Sequence, residues 1–357
     1  MISRLVFATL FFLACFVQAQ PPPGYYSSAT GLYGVSLQQA LHQIIDNHYA
    51  AQYSALHGHF MSTDAKADST VWDMYSDVPG GTPPYVYHFI PQDQCGNYSQ
   101  EGDCYNREHS FPKSWFGGDV MPMFSDLFHL YPTDGFVNGQ RGNLPYGVVQ
   151  NANWTSLNGS KRGSSAVPGY TGTVFEPIHE YKGDFARTMF YMAVRYYGQD
   201  GSWPGSDMTN GAQPKPWALA MLRQWHQQDP VSQKEIDRNN AVYAIQNNRN
   251  PFIDHPAFVE DIWSPTAGIR DAITLVASLY PVPAMDYCIV NFTQPLSTDL
   301  YWQMNNTLGV PVNKGGLEPG QTLSRIDVTG LVPGMYFLQI HHHSGTPMGV
   351  YPLLVAR

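Results

Sequence analysis

The sequence predicts an α+β fold up to about residue 283, followed by a small all-β sandwich. Apolar residues recur at helical spacing in several segments of the first part. Residues 284–357 instead alternate in short runs, such as CIVNF and MYFLQI, between Gly, Pro and Asn turns. The change comes at Pro281-Val-Pro283. We therefore predict one domain over residues 20–283 and a second over 284–357.

The first nineteen residues have the pattern of a signal peptide. Arg4 is followed by an apolar run from Leu5 to Phe16 and then by the small-residue cleavage site ending at Ala19. The run is too short to cross a bilayer. We predict an exported protein that has no membrane span.

Several elements follow from capping signals and periodicity. Ser36 and Gln39 form a capping box that opens a helix. Its predicted apolar face consists of Leu37, Ala40, Leu41, Ile44 and Ile45. Further helices are predicted over 185–197, 217–228, 231–247 and 267–280, the third capped by Asp229-Pro230. Strands are predicted over 83–90, from 107, and near 127–131, with Gly/Asn-punctuated backbone after the last.

The charge balance argues against a simple electrostatic nucleic-acid binder, because the net charge is −9. From Gly135 to Phe175, however, there is no Asp or Glu, while Arg141, Lys161 and Arg162 are present. This acid-free segment is interpreted either as a basic nucleic-acid-binding surface or as a Gly/Asn-rich loop with few charges of any kind.

The number and spacing of the cysteines are consistent with an exported protein. Once the signal peptide is removed, Cys95, Cys104 and Cys288 remain. In an oxidising compartment Cys95 and Cys104 are expected to form a disulfide. Cys288 is left over and is expected to be free.

The stretch DCYNREHSFPKSW places Glu108 beside His109 among aromatic residues. A neutral imidazole can take a proton from water near neutral pH. Oxygen ligands such as Glu and Asn suit a hard cation, Mg²⁺ or Ca²⁺. The pattern therefore favours hydrolysis of a phosphodiester. Taken singly, His109 could be a structural histidine and Glu108 a surface charge.

Other hydrolytic sites lack their motifs. The sequence contains no H-E-x-x-H helix, no G-x-S-x-G elbow, no C-x-x-C pair and no Gly-rich phosphate loop. A secreted metal-dependent peptidoglycan or peptide hydrolase would need zinc-type ligand triads, and only Glu108, His109 and His129 are candidates. In its LFHLY setting, His129 is expected to be a packed, hydrogen-bonded side chain.

Four ordered blocks resemble the secreted endonuclease I family. They are NREHSFPKSW, DLFHLYPTDGFVNGQRGN, FEP with KGDFARTMFYM, and WHQQDPV…EIDRNNAVYAIQNNRNPFIDHP. Together they cover most of residues 36–265. The resemblance implies a ββα-metal core, also called a His-Me finger, embedded in helices. It also implies Mg²⁺-dependent, largely sequence-nonspecific cleavage of DNA and often of RNA, with Ca²⁺ or Mn²⁺ as alternative ions.

The resemblance also implies roles for individual residues. His109 matches the general base, and Glu108 and Asn138 match the metal ligands, Asn138 being preferred to Asn143. Periplasmic bacterial members use an arginine between the two blocks to steady the product phosphate. Here Lys113 is the only Lys or Arg between His109 and Asn138, so no residue matches that role directly, and Arg141, just beyond Asn138, is taken as the candidate for it. Lys161 and Arg162 are expected to contact the nucleic acid.

One geometric objection accompanies this assignment. Neighbouring residues on a regular strand face opposite sides, so Glu108 and His109 share a site only if the strand bends or the ion lies beyond its edge. Otherwise Glu108 is structural and Asp126 becomes the better carboxylate.

The final 74 residues resemble a C-terminal sorting domain of the type IX secretion system. The resemblance is carried by LSRIDVTGLVPGMYFLQI and GVYPLLVAR. It implies that the secretion machinery is a partner and that the protein is secreted or held at the cell surface. An accessory polymer-binding domain is the alternative. For the whole chain we expect a monomeric nuclease, and the competing interpretation is a noncatalytic cell-surface binding protein with a degenerate nuclease core.

Overall fold

The computed structural model describes residues 21–264, 276–296, 299–342 and 347–356. The predicted signal peptide over residues 1–19 lies outside the described residues. Within the described ranges, none of the helices has the length and apolar character needed to cross a membrane.

Helices build most of the first part of the chain. They are α1 (Gly34–Ile45), α2 (Leu56–Thr63), α3 (Gly135–Arg141), α4 (Lys182–Arg195), α5 (Pro216–Gln228), α6 (Gln233–Gln246), α7 (Pro251–Asp254) and α8 (Phe258–Trp263). Helix α4 is buried along nearly its whole length and packs against α1 and α5, so it forms the centre of the core. The helices predicted over 185–197, 217–228 and 231–247 are confirmed as α4, α5 and α6.

Two helix starts differ from the prediction. Helix α6 begins after Ser232, whose side chain and that of Glu235 form a capping box, so Asp229-Pro230 is not its cap. Helix α1 begins at Gly34, before the predicted Ser36, and its N-cap has no side-chain hydrogen bond. The apolar face predicted for α1 is confirmed, except that Ile44 is only half-buried.

A two-stranded sheet and a short helix follow one another in the middle of the chain. Strand β1 (Tyr105–His109) pairs antiparallel with β2 (Leu130–Asp134), and His109 lies opposite Leu130. Helix α3 follows β2 without a linker. The Asp134 side chain caps α3 by accepting a hydrogen bond from the Val137 amide at 2.8 Å. The irregular backbone predicted after the second strand was therefore wrong for these residues.

The acid-free segment continues from α3 into a second sheet. Strands β3 (Val149–Thr155), β4 (Lys161–Ser165) and β5 (Thr173–Glu176) pair antiparallel in that order. Most of β3 is exposed. The segment is thus a helix and a three-stranded sheet rather than one long loop. A short pair, β6 (Thr209–Asn210) with β7 (Gln213–Pro214), lies between α4 and α5.

Two predicted elements are absent where the structure can test them. Residues 83–90 form no strand, and only His88 makes an isolated bridge, to Thr70. The predicted helix over 267–280 falls largely outside the described residues, but its end forms strand β8 (Val276–Tyr280).

The C-terminal part is a β-sandwich, as predicted. Its further strands are β9 (Tyr287–Phe292), β10 (Leu300–Asn306), β11 (Pro311–Leu317), β12 (Leu323–Asp327), β13 (Gly334–His342) and β14 (Pro347–Val355). They form sheets of order β11-β10-β13-β14 and β12-β9-β8 around a separate apolar core. Cys288 is buried in that core as a free thiol, and burial raises its pKa to about 11.

Candidate active site

Glu108 and Arg141 form a buried ion pair between β1 and α3. Arg141 Nη1 donates to Glu108 Oε1 at 3.0 Å and to the His109 carbonyl at 2.9 Å. Its Nη2 donates to the Ser110 carbonyl at 2.6 Å. The Tyr75 hydroxyl donates to the same carboxylate oxygen at 3.0 Å. Burial raises the pKa of Glu108, while Arg141 and Tyr75 act in the opposite direction.

Asn138 lies on the same side of β1 as Glu108. Its Nδ2 donates to Asn106 Oδ1 at 2.7 Å, and Asn106 shares a strand face with Glu108 because the two are two residues apart. Among the described residues, no hydrogen bond ends on Asn138 Oδ1 or Glu108 Oε2. A carboxylate and an amide oxygen are donors that Mg²⁺ and Ca²⁺ prefer, so these two residues fit a hard cation.

His109 faces the other side of the strand. Its Nε2 lies 3.0 Å from the Phe124 carbonyl. A carbonyl only accepts, so Nε2 carries the proton and Nδ1 holds the free electron pair. The ring packs near-parallel to Phe124 and Tyr53, with centroids 5.4 and 6.0 Å away.

The surroundings of His109 keep it neutral. Burial lowers the pKa of His109 to about 3, and His129, Lys113 and Arg107 act in the same direction, while the Phe124 carbonyl opposes them. A neutral imidazole with a fixed tautomer is the form that can accept a proton from water.

The structure answers the geometric objection only in part. Strand β1 keeps its pairing with β2 through His109, so the Glu108 and His109 side chains diverge as the alternation requires. Glu108 and His109 are the last two residues of β1, and Arg141 donates to both the Glu108 carboxylate and the His109 backbone carbonyl.

Asp126 is unsuited to replace Glu108. It is fully buried and accepts hydrogen bonds from Tyr191, Tyr196 and Gln246. Burial tends to raise the pKa of Asp126, but His48, His129 and its hydrogen bonds outweigh burial and hold it at about 2. His129 is also fully buried, and its Nε2 bonds the Met123 carbonyl at 2.7 Å, so it is a packed side chain as expected.

Arg141 does not occupy the position that its predicted roles need. Its residue exposure is 1%, and its guanidinium is used by Glu108 and two backbone carbonyls. It cannot be part of a basic surface, and contact with a product phosphate would require it to leave these partners. Lys113 is exposed and pairs with Asp119 at 2.7 Å.

Lys161 and Arg162 lie on β4, beside the helix that carries Asn138. Lys161 is exposed. Arg162 is half-buried and donates to Asn153 Oδ1 at 3.2 Å and to Gln140 Oε1, on α3, at 2.7 Å. Arg162 is therefore oriented by neutral amides, and its positive charge is not cancelled by these partners.

The Cys95–Cys104 disulfide is present, and its loop packs on α3. Tyr98, within the loop, lies over two glycines of that helix. A Cβ atom at Gly135 would be 2.6 Å from the Tyr98 ring, and one at Gly139 would be 2.8 Å from its hydroxyl. The two glycines are four residues apart and share one helix face. The disulfide loop thus holds the helix that carries Asn138.

Breaking this disulfide is expected to lower both stability and activity. Opening a loop of about ten residues should cost about 2–3 kcal/mol of unfolding free energy, and loosening Tyr98 should displace α3. Chemical denaturation and nuclease rates of a Cys95→Ser/Cys104→Ser variant test this, with Cys288→Ala as the thiol control. A double variant that keeps the wild-type stability and rate would contradict the expectation.

Several contributors to the site were not singled out from the sequence. Tyr75, Asn106 and Phe124 orient Glu108, Asn138 and His109, respectively. Asn106 could have been found if the strand had been predicted to begin earlier, because it lies two residues before Glu108 and so on the same strand face. Tyr75 and Phe124 contact the site through long-range packing, for which a single sequence carries no signal.

Two protein-family models match separate parts of this chain. A family model described as Endonuclease I matches residues 33–257, and one described as Secretion system C-terminal sorting domain matches residues 278–348. An extracellular ribonuclease of Bacillus amyloliquefaciens is 37% identical over 248 residues, which are 67% of this chain and 78% of that protein. An extracellular ribonuclease of Bacillus subtilis (strain 168) is 36% identical over 250 residues, again 67% and 78%. An extracellular deoxyribonuclease of Aeromonas hydrophila is 26% identical over 133 residues, 37% of this chain and 50% of that protein.

Proposed function

The chain belongs to the endonuclease I family, and on that premise we propose that it is a metal-dependent, sequence-nonspecific endonuclease that hydrolyses phosphodiester bonds. The observation that carries the proposal is the state of His109. It ends β1, it is neutral, and the Phe124 carbonyl fixes its tautomer so that Nδ1 is the basic nitrogen.

We assign the ββα-metal core to β1, β2 and α3. This unit carries His109 at the end of one strand and Asn138 on the helix. Glu108 and Asn138 would hold Mg²⁺, with Ca²⁺ or Mn²⁺ as alternatives. When bound, the ion would neutralise charge that develops on the phosphate and on the leaving oxygen.

The protein side chains supply the proton transfer and the surroundings. Nδ1 of His109 takes a proton from water as the water oxygen bonds to phosphorus. The bond between phosphorus and the leaving oxygen breaks, and that oxygen takes a proton from solvent. The hydrogen bond from Nε2 to Phe124 holds the imidazole in orientation throughout.

RNA and DNA are both proposed substrates. The relatives that match most of this chain are named ribonucleases, and the Aeromonas relative is named a deoxyribonuclease. Lys161 and Arg162 are the proposed contacts for the nucleic-acid backbone, because neither forms an ion pair with a carboxylate of the described residues and because Arg162 adjoins α3. Arg141 is left out of this surface. We further propose that the enzyme acts as a monomer.

The protein is secreted or held at the cell surface, as its sorting domain and extracellular relatives indicate. We propose the type IX secretion machinery as the partner of the C-terminal β-sandwich.

Digestion of supercoiled plasmid and of a structured RNA tests the proposed function. We expect cleavage of both with Mg²⁺, abolition by EDTA, and recovery when Mg²⁺ is added in excess. A His109→Ala protein purified in parallel controls for contaminating nucleases. Absence of cleavage with Mg²⁺, Mn²⁺ and Ca²⁺ alike would instead support the noncatalytic binding protein, and EDTA-resistant cleavage would refute the metal requirement.

A further inference from the structure

Most cations of the nuclease part are neutralised by carboxylates. Ten of the fourteen Lys and Arg side chains described between residues 21 and 264 are in ion pairs. In that part of the chain, the remaining four are Arg107, Lys161, Arg162 and Lys215. Lys215 donates to the Ser206 carbonyl. Arg107 is the one of these four that lies on β1, the strand that carries His109.

Arg107 shares the His109 face of β1. The two residues are two positions apart, so their side chains point to the same side, with Cα atoms roughly 7 Å apart. Arg107 is half-buried and close enough to contribute to the shift in the pKa of His109. A group bound in front of His109 would therefore be within reach of this guanidinium.

Packing orients Arg107 without neutralising it. Its guanidinium carbon lies 4.0 Å from the centre of the Tyr53 ring, and its Nη1 donates to the Tyr53 carbonyl at 3.0 Å. Tyr53 stacks on Phe124, with ring centres 4.0 Å apart. Phe124 in turn accepts the hydrogen bond from His109, so one set of contacts positions both the base and the cation.

The guanidinium keeps donors for a ligand. Arginine has five N–H groups, and the described residues give Arg107 a single hydrogen-bond acceptor, the Tyr53 carbonyl. A purely structural arginine explains the stacking on Tyr53, but it does not explain why this cation lacks a carboxylate in an acidic chain that pairs most others. The planar fork of arginine suits a phosphate.

We propose that Arg107 binds a backbone phosphate of the nucleic acid adjacent to the one attacked at His109. Arg162 lies beside α3, and it would contact the nucleic-acid strand on the other side of the scissile phosphate from Arg107. Cleavage would then require a substrate with phosphates flanking the scissile one, which makes an internal phosphodiester the preferred target. This proposal rests on the proposed nuclease function.

Binding across a salt series tests the role of Arg107. All proteins carry His109→Ala so that a short DNA duplex is bound in Mg²⁺ without being consumed. Arg107→Gln should weaken binding roughly tenfold or more at low salt and reduce the log-log salt slope by about one. Arg107→Lys should keep most of the slope, because the charge remains.

Two further variants separate phosphate binding from other effects. Arg223→Gln removes the same charge from a cation that already pairs with Glu260, so it should leave the slope unchanged. Tyr53→Leu removes the stacking but keeps the cation, so it should change the slope much less than Arg107→Gln. The proposal would be overturned if Arg107→Gln and Arg223→Gln had the same salt slope. It would also be overturned if Tyr53→Leu reduced the slope as much as Arg107→Gln.

Cleavage kinetics of variants that retain His109 provide the second readout. Arg107→Gln should raise KM severalfold with little change in kcat, as expected for a lost binding contact. A fall in kcat alone would assign Arg107 to positioning of His109 and would refute phosphate binding. A wild-type protein that neither binds nor cleaves nucleic acid would refute the nuclease function itself, which distinguishes the two failures.

Discussion

Replacement of His109 by alanine is expected to reduce kcat by about 10²- to 10⁴-fold, the usual effect of losing a general base. The imidazole is neutral and its Nε2 is fixed by the Phe124 carbonyl, so the substitution removes the Nδ1 that takes the proton in the proposed mechanism. KM should change little, because the proposed backbone contacts remain. Initial rates on plasmid and RNA at saturating Mg²⁺ measure the effect.

A matched histidine serves as the control for this variant. The His88 side chain is 56% exposed and pairs with Asp93, so His88→Ala should keep the wild-type rate. His109→Gln keeps a polar side chain of similar size and should be as inactive as His109→Ala if the proton transfer matters. A folded His109→Ala protein within tenfold of the wild-type rate would remove His109 from the reaction.

Replacement of Arg141 by alanine is expected to destabilise the nuclease domain by about 3–5 kcal/mol. Arg141 and Glu108 are 1% and 2% exposed, so the variant would leave a buried carboxylate without its cation. The carbonyls of His109 and Ser110 would also lose a donor. Denaturant unfolding measures the loss of unfolding free energy.

Arg162 provides the comparison, because it belongs to the same acid-free segment but donates to the neutral amides of Asn153 and Gln140. Arg162→Ala should change stability by no more than about 0.5 kcal/mol. Adding Glu108→Gln to Arg141→Ala should restore part of the lost stability, since the unpaired charge disappears. Equal stability of the two arginine variants would show that the buried pair does not stabilise the fold.

The helices were predictable to the extent that local signals decide them. Helix α6 combines helical periodicity with a capping box, and the prediction began it two residues too early and ended it one residue too late. Helix α3 was missed because Gly135, Asn138 and Gly139 have low helix propensity. The helix forms because Asp134 caps it, a local signal that the prediction overlooked. It also forms because the disulfide loop packs Tyr98 against the two glycines, a contact that local sequence does not encode.

The missing strand over 83–90 has a similar cause. The sequence PPYVYHFI alternates like a strand, but its aromatic side chains make separate tertiary contacts with different parts of the protein. Tyr87 is buried and donates to Asp134 Oδ2 at 2.6 Å. Backbone pairing of these residues with other described segments is limited to the His88 bridge with Thr70 and a hydrogen bond from the Val71 amide to the Tyr87 carbonyl. Tertiary packing of single side chains replaces the ladder that the alternation predicted.

The site shows the same division between local and long-range information. The adjacency of Glu108 and His109 and the direction of their side chains follow from the strand. The partner of Glu108 could not be read in this way, because Arg141 lies 33 residues further along the chain. Arg141 was therefore taken as a candidate for contact with the substrate, whereas the structure places it in the core.

Whether Glu108 and Asn138 hold one ion is tested most directly by titrating Mg²⁺ into the cleavage reaction. We expect Glu108→Gln and Asn138→Ala each to raise the Mg²⁺ concentration needed for half-maximal rate by at least tenfold. Asn143 is an exposed asparagine just after the same helix. The Asn143→Ala variant should therefore need the same Mg²⁺ concentration for half-maximal rate as the wild type. Wild-type Mg²⁺ dependence in both Glu108→Gln and Asn138→Ala would contradict the assignment of the metal site to β1 and α3.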